Sequence, residues 1–191
     1  MSIDPNLTLF LGVIVGLLLG SFLNVVISRF PIMWEKDRHE ESRFFLGLPA
    51  VKSGGTFNLL YPRSFCTRCN RPLLNIDNIP MASYIFLKGR CRYCNARIPI
   101  RYPLVEVITV ALTLACLANP SSLHPSVPSS ALIESIVWLC FCSFLIVLAA
   151  IDLEKHLLPD TLTLLLMWLG ITAAALRLLD LALYDSVLGA V

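Results

Sequence analysis

Apolar runs as long as a bilayer is thick dominate this chain and restrict what it can fold into. Roughly 20 helical residues cross a bilayer core, and a crossing segment must pair its own backbone groups, which favours helices. A first run extends from Leu7 to about Ser28, a second from about Pro103 to Ala118, a third from about Ala131 to Ile151 and a fourth from about Thr161 to Leu179. Val187–Val191 reads as the opening of a fifth. With 57% hydrophobic and 15% charged residues, and a mean hydropathy of +0.75, an ordinary soluble domain is excluded. The fold class expected is mainly α, a polytopic α-helical integral membrane protein.

Local signals refine the spans. Asp4 precedes the first run and its first basic residue is Arg29, so it lacks the positive start of a cleaved signal peptide and reads as retained. Gly12, Gly16 and Gly20 recur every four residues, a stripe that lets another helix approach closely. Pro103 suits a first helical turn, where a missing N–H costs little. The second run is short, so it either begins earlier or tilts. Asn119–Ser130 is an uncharged Pro/Ser linker, and Asp160 is placed to cap the fourth helix.

The charges are unevenly distributed. Of 15 Lys and Arg residues, 13 lie between Arg29 and Arg101, with 5 of the 13 acids, a net of about +8. Basic loops stay in the cytoplasm. This threading puts the N-terminus and Asn119–Ser130 outside, and Asp152 with the loop Leu153–Asp160 inside. A basic segment can bind nucleic acid, but flanking spans favour a cytoplasmic domain facing anionic lipid. No nucleic-acid partner is expected. The polar stretch Glu35–Phe57 is left open between an ordered insertion and a mobile loop.

That basic segment carries two Cys-x-x-Cys knuckles, Cys66/Cys69 and Cys91/Cys94, 21 residues apart. Each knuckle offers two thiolates on one turn, and two knuckles close a tetrahedron around zinc. Arg68, Arg90 and Arg92 are expected to keep the thiols deprotonated. Disulfides compete with this reading, but a reducing cytoplasm disfavours them. Four protein ligands leave no open position, so the zinc reads as structural, stapling a small cytoplasmic domain inserted after the first span. Cys116, Cys140 and Cys142 lie in apolar runs and read as small buried hydrophobes.

Asp152 follows the apolar Leu145–Ile151 without a break. An ionisable residue ending a span is either functional or a solvated helix-end carboxylate. Glu106, one turn into the second run, and Glu134, at the outer end of the third, are further candidates. His39, His124 and His156 show no metal or triad spacing.

Taken together, these residues resemble the bacterial type IV prepilin peptidases, which are bifunctional leader peptidase/N-methyltransferases. The resemblance rests on Gly20–Val25, Pro62–Cys69, Asp77–Pro80, Gly89–Cys94, Arg101–Glu106, and Ile151-Asp152 with Leu157–Asp160. It implies an aspartic endopeptidase of the bacterial inner membrane, multi-pass, acting at the cytoplasmic face. Such an enzyme cleaves the basic leader of prepilins and of the pseudopilins of type II secretion. It then methylates the new amino group with S-adenosylmethionine. Asp152 matches the family's first catalytic aspartate. The domains implied are a first transmembrane helix (1–28), a cytoplasmic zinc-binding domain (29–101) and a partial membrane peptidase domain (102–191) of three helices plus the start of a fourth.

The family's second catalytic aspartate belongs to a Gly-x-Gly-Asp motif. None of the nine glycines here is followed by aspartate, so a C-terminally shortened form is expected, with the dyad incomplete in these 191 residues. An aspartyl dyad holds water between two carboxyl groups that share a proton. Asp160 is the nearest substitute in sequence. Asp180, about 19 residues into an outward helix, would stand roughly 28 Å from the cytoplasmic face. No glycine-rich nucleotide loop is visible, so no residue is assigned to S-adenosylmethionine. The alternatives are a non-catalytic zinc-stapled scaffold that binds prepilins or secretion components, and a membrane thiol oxidoreductase.

Overall fold

The computed structural model describes residues 4–49, 57–74, 76–118, 128–176, 178 and 183–189. Among them the chain is helical, with two isolated β-bridges and no strand. Helix α1 spans Pro5–Phe45, α2 Ala82–Phe86, α3 Arg101–Ala118, α4 Pro128–Lys155, α5 Asp160–Ala175 and α6 Leu183–Leu188. Three of these, α1, α3 and α4, are long and apolar enough to cross a membrane.

The glycine stripe does what its spacing suggests. α1 and α3 pack antiparallel along it. A β-carbon on Gly16 would lie 2.7 Å from the Val110 Cα, and one on Gly20 2.7 Å from the Glu106 Cα. Gly12 meets the side chains of Leu114 and Leu117. Thr109 and Thr113 return their hydroxyls to the α3 backbone, to the carbonyls of Val105 and Thr109. Both are almost completely buried, with no hydroxyl left unpaired. α4 closes the bundle parallel to α1. Leu23, Val26 and Ile27 meet Val105, Val147, Leu148 and Ile151, with Leu162 of α5 joining them.

Several helix ends differ from expectation. α1 does not stop near Ser28 but continues through a buried Pro31 to Phe45. The continuation over Glu35–Phe45 consists mostly of good helix formers and is exposed along nearly all its length, so it needs no apolar stripe. Residues 50–56 of that polar stretch lie outside the described residues. α3 begins at Arg101, earlier than its apolar run, with Pro103 in its first turn. α4 takes in Pro128–Ser130 from the expected linker, whose residues 119–127 lie outside the described residues.

Asp160 is not the cap of α5. Pro159, extended at ψ 122°, holds that position. The Pro159 carbonyl accepts the N–H groups of Leu162 and Thr163 at 3.0 and 3.2 Å, so Asp160 is already the first helical residue. α5 has 16 residues, about 24 Å, which falls short of a bilayer core of about 30 Å. Asp180 lies outside the described residues.

Candidate functional site

The two cysteine knuckles are copies of one turn, 25 residues apart. Cys66 N–H donates to the Arg71 carbonyl at 3.0 Å, and Cys91 N–H to Ala96 at 2.8 Å. Asn70 N–H reaches the Cys66 carbonyl at 2.8 Å, and Asn95 that of Cys91 at 3.0 Å. Bridges Phe65–Pro72 and Arg90–Arg97 close the two loops in the same register. Asn70 and Asn95 both stand at φ +53°, a left-handed conformation that asparagine tolerates better than most residues. An asparagine directly after each knuckle was the sequence signal for this turn.

The four sulfurs of Cys66, Cys69, Cys91 and Cys94 lie within 4.8 Å of one another, with Cys66 Sγ and Cys94 Sγ at 3.8 Å. Four sulfurs bound at about 2.3 Å, the zinc–thiolate value, stand roughly 3.8 Å apart in a tetrahedron. The donor set therefore fits a metal ion of this kind. The cluster is the one expected from the knuckle spacing.

The thiol electrostatics come from the turn itself and not from arginine charge. The backbone N–H groups of Cys69 and then Arg68 lower Cys66 to about 6. At Cys94 the Ala96 N–H also lowers the value, but desolvation and the neighbouring cysteine sulfurs outweigh it and raise the thiol to about 11. Arg92 is engaged elsewhere. Its Nη2 donates to Asp77 Oδ1 at 2.6 Å and its Nε to both carboxylate oxygens at 3.1 Å. The Asp77 side chain is only 2% exposed. The pair ties the second knuckle to the 3-10 turn Ile76–Asn78.

Two further contacts fix this module to one end of the bundle and a third joins α1 to α3 there; none was legible in the sequence. The buried Arg29 of α1 donates to the carbonyls of Asn58, Leu59 and Pro62. Glu106 of α3, also buried, accepts the Met81 N–H at 2.7 Å. Asn24 of α1, 3% exposed, donates to the Tyr102 carbonyl at 2.9 Å. The only available signals were polar residues inside apolar runs.

Asp152 lies at this same end. It follows Ile151, which is 1% exposed, yet is itself exposed. No side chain among the described residues hydrogen-bonds its carboxylate. Its carbonyl accepts the His156 N–H at 2.8 Å, and His156, at φ +50°, stops α4. Two residues on, Glu154 pairs with Arg101, whose Nη2 also donates to Ser28 Oγ at 2.9 Å. α1, α3 and α4 are thereby locked together next to Asp152. Glu134 lies in the first half of α4, beside Ser135, whose hydroxyl donates to the Cys116 carbonyl at the bundle's opposite end. Of the three cysteines expected to be buried, Cys140 is exposed and Cys116 and Cys142 are half-buried.

The described residues thus form a helix bundle, three of whose helices are long and apolar enough to cross a membrane, with a four-cysteine cluster and an exposed carboxylate at one end. Sequence comparison gives the particular family. The bacterial peptidase A24 N-terminal domain matches residues 14–119, and the type IV leader peptidase family matches residues 139–191. The chain belongs to this prepilin peptidase family. It is 43% identical over 158 residues to a prepilin leader peptidase/N-methyltransferase of Aeromonas salmonicida (strain A449), covering 82% of this chain and 51% of that protein. A protein of the same description from Stutzerimonas stutzeri is 38% identical over 195 residues, covering 99% and 63%. A type 4 prepilin-like proteins leader peptide-processing enzyme of Escherichia coli O78:H11 (strain H10407 / ETEC) is 41% identical over 180 residues, covering 94% and 61%. The chain thus spans between about half and two thirds of the length of these relatives. No solved structure matches it significantly.

Proposed function

We propose that this chain is part of a membrane aspartic endopeptidase that removes the leader of type IV prepilins and pseudopilins at the cytoplasmic face of the inner membrane. The observation that carries the reading is the placement of Asp152. It is an exposed carboxylate with no side-chain hydrogen-bond partner among the described residues, directly after the buried Ile151, on a helix end that Arg101, Ser28 and Glu154 hold in position. The bundle end that holds it also carries the basic cysteine module, which the distribution of Lys and Arg assigns to the cytoplasm.

In the proposed chemistry, Asp152 and a second carboxyl group share one proton, since two adjacent like charges resist full ionisation. One takes a proton from water while the other donates to the scissile carbonyl. The partner is the aspartate of the family's Gly-x-Gly-Asp motif, which these 191 residues do not supply. Asp160 opens α5 on the far side of the His156–Pro159 link and makes no hydrogen bond to Asp152.

Cys66, Cys69, Cys91 and Cys94 would hold a zinc ion. With all four positions filled by thiolate, its contribution is structural. S-adenosylmethionine would donate the methyl group for the new amino terminus. The test is leader removal from a prepilin by the purified full-length enzyme in lipid, read by mass. A protein that binds prepilin tightly but never shortens it would favour the non-catalytic scaffold.

A further inference from the structure

We propose that the charge-free segment Ile79–Leu87 is seated in the interfacial layer of the bilayer, with Lys88 and Arg90 on the phosphates of anionic lipids. The inference rests on the membrane spans and is independent of the peptidase reading.

The first observation is depth. Met81 N–H is bound to Glu106, five residues beyond the start of α3 at Arg101. At about 1.5 Å per residue, the Glu106 Cα lies roughly 7.5 Å along the helix from its end, and its side chain leans back part of that way toward the helix N-terminus. The Glu106 backbone packs on Gly20, well inside the first span. The Met81 turn is therefore tucked against the side of the bundle, below the level at which α3 enters.

The second observation is what faces outward there. Ile79, Ile85 and Phe86 are 48%, 66% and 85% exposed. In water, three large apolar groups on so short a segment would be a marked liability. No charged residue lies between Asp77 and Lys88. Asp77 itself is turned inward and held by Arg92. The two basic residues that follow, Lys88 and Arg90, are exposed. Long basic side chains reach from apolar surroundings to the headgroups.

The third observation is the backbone. A segment in lipid must satisfy its own N–H groups. Here Ser83, Ile85 and Leu87 donate to Ile79, Met81 and Ser83, and Gly89 donates to Tyr84 at 2.9 Å. α2 is thus a closed turn with an apolar tip and a basic trailing edge. That is the pattern of an element that sits about 5–10 Å into the headgroup–acyl boundary.

The experiment replaces Phe86 with a benzophenone amino acid in the full-length protein, reconstituted in vesicles of phosphatidylethanolamine and phosphatidylglycerol. Phe45 serves as the comparator. It is equally exposed, at 84%, but ends the stretch of α1 that runs on past Ser28. On irradiation, position 86 should form a phospholipid adduct and position 45 should not. An adduct of position 86 with a second copy or with added prepilin, in place of lipid, would overturn the proposal. Equal lipid adducts at both positions would do the same. Quenching of a fluorophore at Ile85 by spin-labelled lipid repeats the test at a second position, and absence of quenching there counts equally against it.

Discussion

Gly20 lies against the backbone of Glu106 so closely that a β-carbon on the glycine would meet the Glu106 Cα at 2.7 Å. The contact matters beyond packing, because the Glu106 carboxylate holds Met81 and with it the cysteine module. Helix contact and module placement therefore share one residue.

Enlarging the stripe should separate α1 from α3. Gly16→Leu and Gly20→Leu each drive a side chain into backbone that cannot step aside, and overpacking of this kind costs about 1–3 kcal/mol or more. Both should lower the thermal midpoint measured in detergent. Gly170→Ala should leave it unchanged, since among the described residues a β-carbon there would meet no atom of another element within 4 Å.

The cysteine cluster should hold one metal ion per chain. Elemental analysis of the purified protein should find zinc at that ratio, and replacing all four cysteines with serine should abolish it. Full metal content in the quadruple variant would refute the site.

The paired turns also predict different thiol behaviour once metal is removed. Cys66, lowered to about 6 by its turn amides, is largely thiolate at neutral pH, whereas Cys94, raised to about 11, is protonated. Mass-resolved alkylation at neutral pH should label Cys66 first. Its rate should fall as pH drops through about 6, and Cys94 should react after it. The stability that depends on the Cys66 thiolate has the same sign. It is present above the ordinary thiol value and is lost as pH falls through about 6.

Much of this architecture was legible because hydropathy and spacing are local. Three of the four expected spans, the glycine contact and the cysteine cluster follow from periodicity or from knuckle spacing, whereas α5 is too short to count as the fourth. The continuation of α1 to Phe45 was not legible. Its surface is charged on every side, so no apolar pattern marks it. Arg29, Glu106 and Arg101 owe their roles to partners 29, 25 and 53 residues away. No local pattern encodes such pairings. Asp160 misled because an acidic residue near a helix start resembles a cap, whereas the preceding proline had already taken that position.

Orientation is testable independently of chemistry. A single cysteine at Glu41, exposed on the far part of α1, should resist a membrane-impermeant thiol reagent in intact cells and react after permeabilisation. Labelling from the periplasm would reverse the threading and move Asp152 to the other face.

The most direct test of the central claim is leader cleavage by full-length enzyme carrying Asp152→Asn. The amide matches the carboxylate in shape but cannot serve as a base. Prepilin should therefore retain its leader, with processing down at least about a thousandfold, equivalent to roughly 4 kcal/mol of lost barrier reduction. Metal content and thermal midpoint should match the wild type, and methyl transfer to a pre-cleaved pilin should persist. Leader removal at the wild-type rate by the Asp152→Asn enzyme would contradict the account and take Asp152 out of the mechanism.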